Sequence, residues 1–332
     1  MNDLILPLPD DFHVHLRQDE ALAGYVSDYA EQFGRGLVMP NTIPPITTPE
    51  LLLDYKQKIL ASASRFEPLM TFKLHAAYSR DTLEKMKASG AAAGKYYPAG
   101  VTTNSQDGIS ELESVFPVLE MMEDLGFVLS IHGEEPSAFC LDRESAFIWR
   151  VERIAERFPK LKVVFEHLST AAAVDFVLNA PENVAATITV HHLMLTLDDV
   201  IGDGLQPHHF CKPLPKFPAD REAVRAAAFS GRSKIFFGSD SAPHPREKKE
   251  CAPGAAGVYT APVAIPLLAE IFENAGKLSL LPDFIGGFGA DFYGLPRTSE
   301  SITLVREPWV VPDSYHGAVP LAAGKTLQWK LK

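Results

Sequence analysis

A single (β/α)8 barrel, the TIM-barrel class, is the fold this sequence predicts, and three observations predict it. Eight short apolar or β-branched runs alternate with longer helical patterns. No linker, internal repeat or low-complexity tract separates them. The chain has 332 residues, beyond the usual domain size but ordinary for an α/β barrel that folds as one unit. Residues 1–332 are therefore read as one domain, with chemistry expected at the C-terminal ends of the strands.

The first strand, Asp11–Leu16, lies in DDFHVHLRQD. Alternation puts His13, His15 and Arg17 on one face and Phe12, Val14 and Leu16 on the other. Imidazoles two residues apart sit roughly 6.5–7 Å apart along a strand, near enough to lean onto one metal ion at about 2 Å from each nitrogen. The second strand, Arg35–Met39, is followed by Asn41 of VMPNT. Thr48 then reads as an N-cap, with Pro49 opening the helix ELLLDYKQKIL. After the third strand, Met70–Ala76, Asp81 and Glu84 read as a capping box for DTLEKMKAS. The fourth, Ala93–Tyr97, carries Lys95. The fifth and sixth, Phe127–His132 and Lys162–His167, each end in histidine. Ala186–His191 is the seventh. The eighth, Lys234–Gly238, runs into Asp240 of IFFGSDSAPH, with His244 four residues on. The segments ISELESVFPVLEMMEDL, SAFIWRVERIAERF, TAAAVDFVLNA and DREAVRAAAFS supply intervening helices. Residues 251–269 are uncharged, but three prolines and two glycines make them a loop leading into a helix near Pro262 rather than a membrane span.

Composition narrows the function. A hydrophobic content of 46% with 22% charged residues fits a globular chain with a sizeable core. The net charge of −11 and the lack of a basic cluster argue against a nucleic-acid partner. Cys140, Cys211 and Cys251 are too few and too scattered for a disulfide framework, which fits a reducing cytoplasm, and each is expected to be a small packed side chain. The N-terminal MNDLILPLPDD shows no export signal.

Taken singly, the polar residues at the strand ends have ordinary readings: a hydrogen-bonded histidine, a solvated lysine, a capping aspartate. Together, five strand ends deliver nitrogen or oxygen donors to one face, and His13, His15, Lys95, His132, His167 and Asp240 form a set that suits Zn²⁺. His75 lacks a partner in this pattern and is expected to be packed or supportive. Of His191 and His192, one could line the pocket. His208, His209 and His316 read as structural or solvated.

The motifs DFHVHLR, MPNT, GKYYPAGVTTNS, SIHGE, FEHLST, HHLMLTLDD, FCKPLPK and GSDSAPH, in that order, resemble the compact bacterial dihydroorotases of the amidohydrolase superfamily over nearly the whole chain. The resemblance implies two zinc ions bridged by a CO₂-modified Lys95 (N6-carboxylysine). His13, His15, Lys95 and Asp240 would hold one, and Lys95, His132 and His167 the other. It implies reversible cyclisation of N-carbamoyl-L-aspartate to (S)-dihydroorotate, with Asp240 as the proton carrier. Substrate contacts fall on His15, Leu16, Arg17, Asn41, Thr102, Thr103, His132, Lys212, His244 and the backbone at Ala256. Thr102 and Thr103 match a mobile loop, and Lys212 stands where some relatives are expected to be apolar. A homodimer without a membrane partner is implied as well. The rival readings are a hydantoinase- or allantoinase-like cyclic amidase, a one-metal deaminase with a structural Lys95, and a silent barrel that binds a partner.

Overall fold

The chain begins with β1 (Asp3–Pro7) and then enters eight parallel strands: β2 (Asp10–Val14), β3 (Arg35–Val38), β4 (Glu67–Lys73), β5 (Ala91–Tyr96), β6 (Val128–Ile131), β7 (Lys162–Phe165), β8 (Val184–Ile188) and β9 (Ile235–Phe237). The computed structural model describes residues 3–63, 65–101, 105 and 108–332. These eight strands neighbour one another in chain order. Beyond the last, the backbone closes the ring: Asp240 N donates to His13 O (2.9 Å) and His15 N to Ser241 O (3.0 Å). The expected barrel is present.

Its floor is apolar. Phe12, Leu37, Leu69, Ala93, Val128, Val164, Ala185 and Phe236, one from each strand, form an inner cluster closed by Phe288, Phe292 and Tyr293. Phe12 was expected to face away from His13. A register shift between Asp11 and Val14 inserts one residue against β3, and such a bulge lets neighbours share a side. Phe12 therefore fills the floor while His13 lines the cavity above it.

The helix Pro49–Ser62 starts as expected, with the Thr48 side chain accepting from Leu51 N at 3.3 Å. The helix Arg80–Ala88 does not: Ser79 is its cap, accepting from Thr82 N, and Asp81 instead pairs with Lys85 one turn on. The seventh strand stops at Ile188 because Thr189 caps a short helix, Val190–Met194, that contains His191 and His192.

A separate antiparallel sheet was not anticipated. β1 pairs with β10 (Ser301–Val310), which pairs with β11 (Thr326–Leu331). Its inward residues Leu6, Ile302, Leu304, Leu327 and Trp329 join the same hydrophobic cluster as the barrel's outer side chains. Pro308 sits at the register shift between Arg306 and Trp309, where a ladder donor is dispensable.

Candidate active site

Strand ends build the site from one direction. His13, His15, Arg17, Asn41, Lys95, Tyr97, His132, His167, Lys212, Asp240, Ala242, Ala256 and Gly257 line one cavity. Three positions there turn the chain through left-handed backbone without glycine: Arg17 (φ 62°), His167 (φ 44°) and Asp240 (φ 43°). Such geometry is costly outside glycine, and it concentrates where side chains must be aimed.

The His13 and His15 Nε2 atoms approach to 3.3 Å, and Asp240 Oδ1 lies 3.3 Å from the first and 3.1 Å from the second. On the far side, the His167 ring is centred 5.2 Å from His13 and 4.8 Å from His132. His167 is held from behind by its backbone N–H, which donates to Thr187 Oγ1 at 2.8 Å, while its Nδ1 is buried without a partner. His132 Nε2 stands 2.8 Å from Glu134 Oε2.

Burial, with Lys95 nearby, keeps His13 neutral, well below the ordinary histidine range, and burial with His132 does the same for His167. Burial alone would raise Asp240, but His13, His15 and His167 around it prevail and hold it well below the usual carboxylate range. Desolvation drives Lys95 far below an ordinary lysine. Neutral imidazoles beside an ionised carboxylate, with a buried ring nitrogen left over, are donors suited to a divalent cation.

Glu166 was missed in the sequence. It is fully buried, its Oε1 lies 3.2 Å from His13 Nδ1, and its Oε2 meets Lys95 Nζ. Simple alternation sends Glu166 and His167 to opposite faces, but the positive φ at His167 breaks the pleat. Tyr97, whose ring is 4.9 Å from Lys95 Nζ, was missed too. The helix Arg143–Arg157 reaches over with Glu144, which accepts from Ser169 N (2.8 Å) and from the Thr170 hydroxyl, fixing the turn just after His167.

A second wall is basic. Arg17 Nε donates to Pro243 O at 3.0 Å, and its Nη2 lies 2.9 Å from His244 Nε2, itself 3.1 Å from Ala256 O. Burial, then Arg17 and Lys249, bring His244 down to about 3, so its ring is neutral. Asn41 and Lys212 complete this wall. Gly257, at φ 146°, brings its backbone so near Ala242 O that a Cβ would meet that oxygen at 2.6 Å.

Other expectations change. The Leu16 side chain is packed in the core rather than facing the cavity, which leaves only its backbone for the expected contact. Thr102 and Thr103 lie outside the described residues. His191 and His192 are buried and are not among the residues that line the cavity. His75 is exposed rather than packed, and so is Cys251. His208 pairs with Glu250, His209 Nδ1 meets Asp199 O, and His316 pairs with Asp28, as structural residues do.

A family model described as amidohydrolase matches residues 76–261. A dihydroorotase from Teredinibacter turnerae is 46% identical, the match covering 100% of this chain and 99% of that one. The chain belongs to the dihydroorotase family. The crystal structure of a dihydroorotase from Campylobacter jejuni superposes with a TM-score of 0.93 at 41% identity, over 100% of this chain and 98% of the other. An L-hydantoinase from Arthrobacter aurescens shares the fold, with a TM-score of 0.83 over 99% of this chain and 83% of its own, but at only 18% identity. The dihydroorotase likeness therefore extends to sequence, whereas the hydantoinase likeness shows the fold alone.

Proposed function

We propose that this dihydroorotase works as a binuclear zinc enzyme whose ligands are the six donors His13, His15, Lys95, His132, His167 and Asp240, with Lys95 carboxylated and bridging. As a cyclic amidohydrolase of pyrimidine biosynthesis, it interconverts N-carbamoyl-L-aspartate and (S)-dihydroorotate plus water. The observation that carries this reading is the convergence of those six side chains on one cavity whose opposite wall is basic. Lys95 fits the modification because a desolvated, neutral amine can add CO₂, and the resulting carbamate offers two oxygens. When bound, the zinc pair supplies a water acidified to neutral pH and polarises the scissile carbonyl.

The chain's own residues do the rest. Asp240 Oδ1 faces the two histidines, which leaves Oδ2 to take the proton during ring opening and return it to the departing nitrogen. Arg17, steadied through Pro243, presents its guanidinium beside Asn41 and His244 to the substrate carboxylate, and the Ala256 and Gly257 backbone borders the ring. Glu166 orients His13 through Nδ1, as carboxylates behind metal-bound histidines do. Glu166→Gln is expected to lower zinc affinity about 10- to 100-fold in a chelator competition. Arg17→Ala should raise KM roughly 10- to 150-fold with a smaller change in kcat, the equivalent of about 1.5–3 kcal/mol for a hydrogen bond to a charged group. An unchanged KM would remove Arg17 from the carboxylate site.

The deciding assay follows dihydroorotate hydrolysis and carbamoyl-aspartate cyclisation beside hydantoin and allantoin, with metal content measured on the same sample. Turnover of dihydroorotate with two zinc ions per chain is expected. Hydrolysis of hydantoin alone, or no turnover in zinc-loaded protein, overturns the reading. We further propose a cytoplasmic homodimer without nucleic-acid or membrane partners. The net charge of −11 supports the lack of a nucleic-acid partner, and no helix among the described residues is long and apolar enough to cross a membrane.

A further inference from the structure

Behind the basic wall lies a second group of ligand-type side chains that the reaction does not use. Thr189 accepts from His192 N at 3.0 Å and turns the chain into the helix Val190–Met194, which sets His191 and His192 side by side with ring centroids 4.6 Å apart. Cys211 joins them. One nitrogen from each ring and Cys211 Sγ lie within 4.8 Å of one another, and relative exposures are 0%, 3% and 1% for His191, His192 and Cys211.

Two of the three are oriented by the surrounding backbone. Pro213 O receives both the Cys211 thiol (3.2 Å) and His192 Nε2 (3.1 Å). A carbonyl only accepts, so His192 carries its proton on Nε2, and its Nδ1 accepts from the Thr189 hydroxyl at 2.9 Å, a bond that a metal would replace. His191 is different: both of its ring nitrogens are buried without a partner among the described residues. Each such group left unsatisfied costs about 1–3 kcal/mol, so a ligand that engages these nitrogens recovers that cost. The same mark, a buried ring nitrogen without a partner, distinguishes His167 in the catalytic cavity.

We infer that His191, His192 and Cys211 form a third metal site, separate from the catalytic pair, that takes a borderline or soft divalent cation such as Zn²⁺ or Co²⁺. Two imidazoles and one thiolate match the preference of those ions over Mg²⁺ or Ca²⁺. Bonds of about 2.0–2.3 Å in a tetrahedron put neighbouring donors roughly 3.3–3.8 Å apart, so small side-chain rotations close the observed cluster and leave a fourth position for water. Burial pushes the Cys211 thiol up and His191 down to about 4, so the resting cluster is uncharged. Binding breaks the S–H bond, forms the sulfur–metal bond and releases that proton to solvent. The ion would pin the stretch that places Lys212 on the substrate cavity.

The catalytic set contains no sulfur, which gives this site its own signature. Metal-free protein titrated with Co²⁺ is expected to take up three equivalents, and the last should bring a near-ultraviolet thiolate-to-cobalt band with release of a proton. Cys211→Ser should stop at two equivalents without the band, and so should His191→Asn, which keeps every thiol. A Cys140→Ser/Cys251→Ser variant should keep the band. Wild-type protein that saturates at two equivalents with no band, or a band that survives in Cys211→Ser, overturns the site.

Discussion

Replacing Asp240 by asparagine is expected to cut kcat by roughly 10²–10⁴-fold, the usual worth of a positioned proton carrier, while much of the metal stays bound. The substitution isolates chemistry from structure. Asp240 sits at φ 43°, a conformation that asparagine tolerates about as well as aspartate, so the backbone turn after β9 survives. An amide oxygen can still face His13 and His15 where Oδ1 now stands. What the amide cannot do is accept a proton from water and hand it to nitrogen. Steady-state rates and metal content on one sample read this directly, and near-normal turnover at full occupancy would refute the role. The alternative in which Asp240 only holds metal predicts the opposite pattern, with activity restored in proportion as zinc is added back.

How far the site could be read in advance depended on what each residue's neighbours do. His13 and His15 announced themselves because a two-residue spacing on a strand has one geometric outcome, and the bulge that moved Phe12 inward left them converged. The strand ends of β5, β6 and β7 followed from the barrel itself, because parallel strands in chain order deliver their termini to one rim. Glu166 was hidden by the same alternation rule that exposed the histidines, since only a left-handed turn at His167 brings both side chains inside. The small sheet was hidden for another reason. β1 finds its partner at the far end of the chain, with Asp3 opposite Val305, and no local pattern encodes so distant a pairing. Its strands do alternate: Ile302 and Leu304 are buried while Ser301 is exposed, a period that is weak evidence without a known partner. Ser79 displaced Asp81 as a helix cap because both are good caps, and the side chain that reaches Thr82 N wins.

Lys95→Ala is the harsher test. Activity should fall to the detection limit and both metals should be lost together, because under the proposed arrangement a single side chain contributes to each. A one-metal arrangement with a structural lysine predicts retention of one ion. The comparison needs a second variant, because Lys95 also faces Glu166 in the unmodified chain and both are fully buried. Removing the side chain that faces Glu166 leaves that buried carboxylate unsatisfied, at a cost of about 1–3 kcal/mol, so Lys95→Ala will also unfold at lower denaturant. Lys95→Ala/Glu166→Gln takes away that charge and should recover much of the stability while remaining free of metal and inactive. Intact-mass measurement of the wild-type enzyme under non-denaturing conditions, heavier by one CO₂ than the chain and losing that increment in acid, would tie the metal loss to the carbamate. If Lys95→Ala kept two zinc ions and the double variant lost them, position 95 would be a packing residue and the bridge would have to be sought in Glu166, the remaining buried carboxylate within reach of His13.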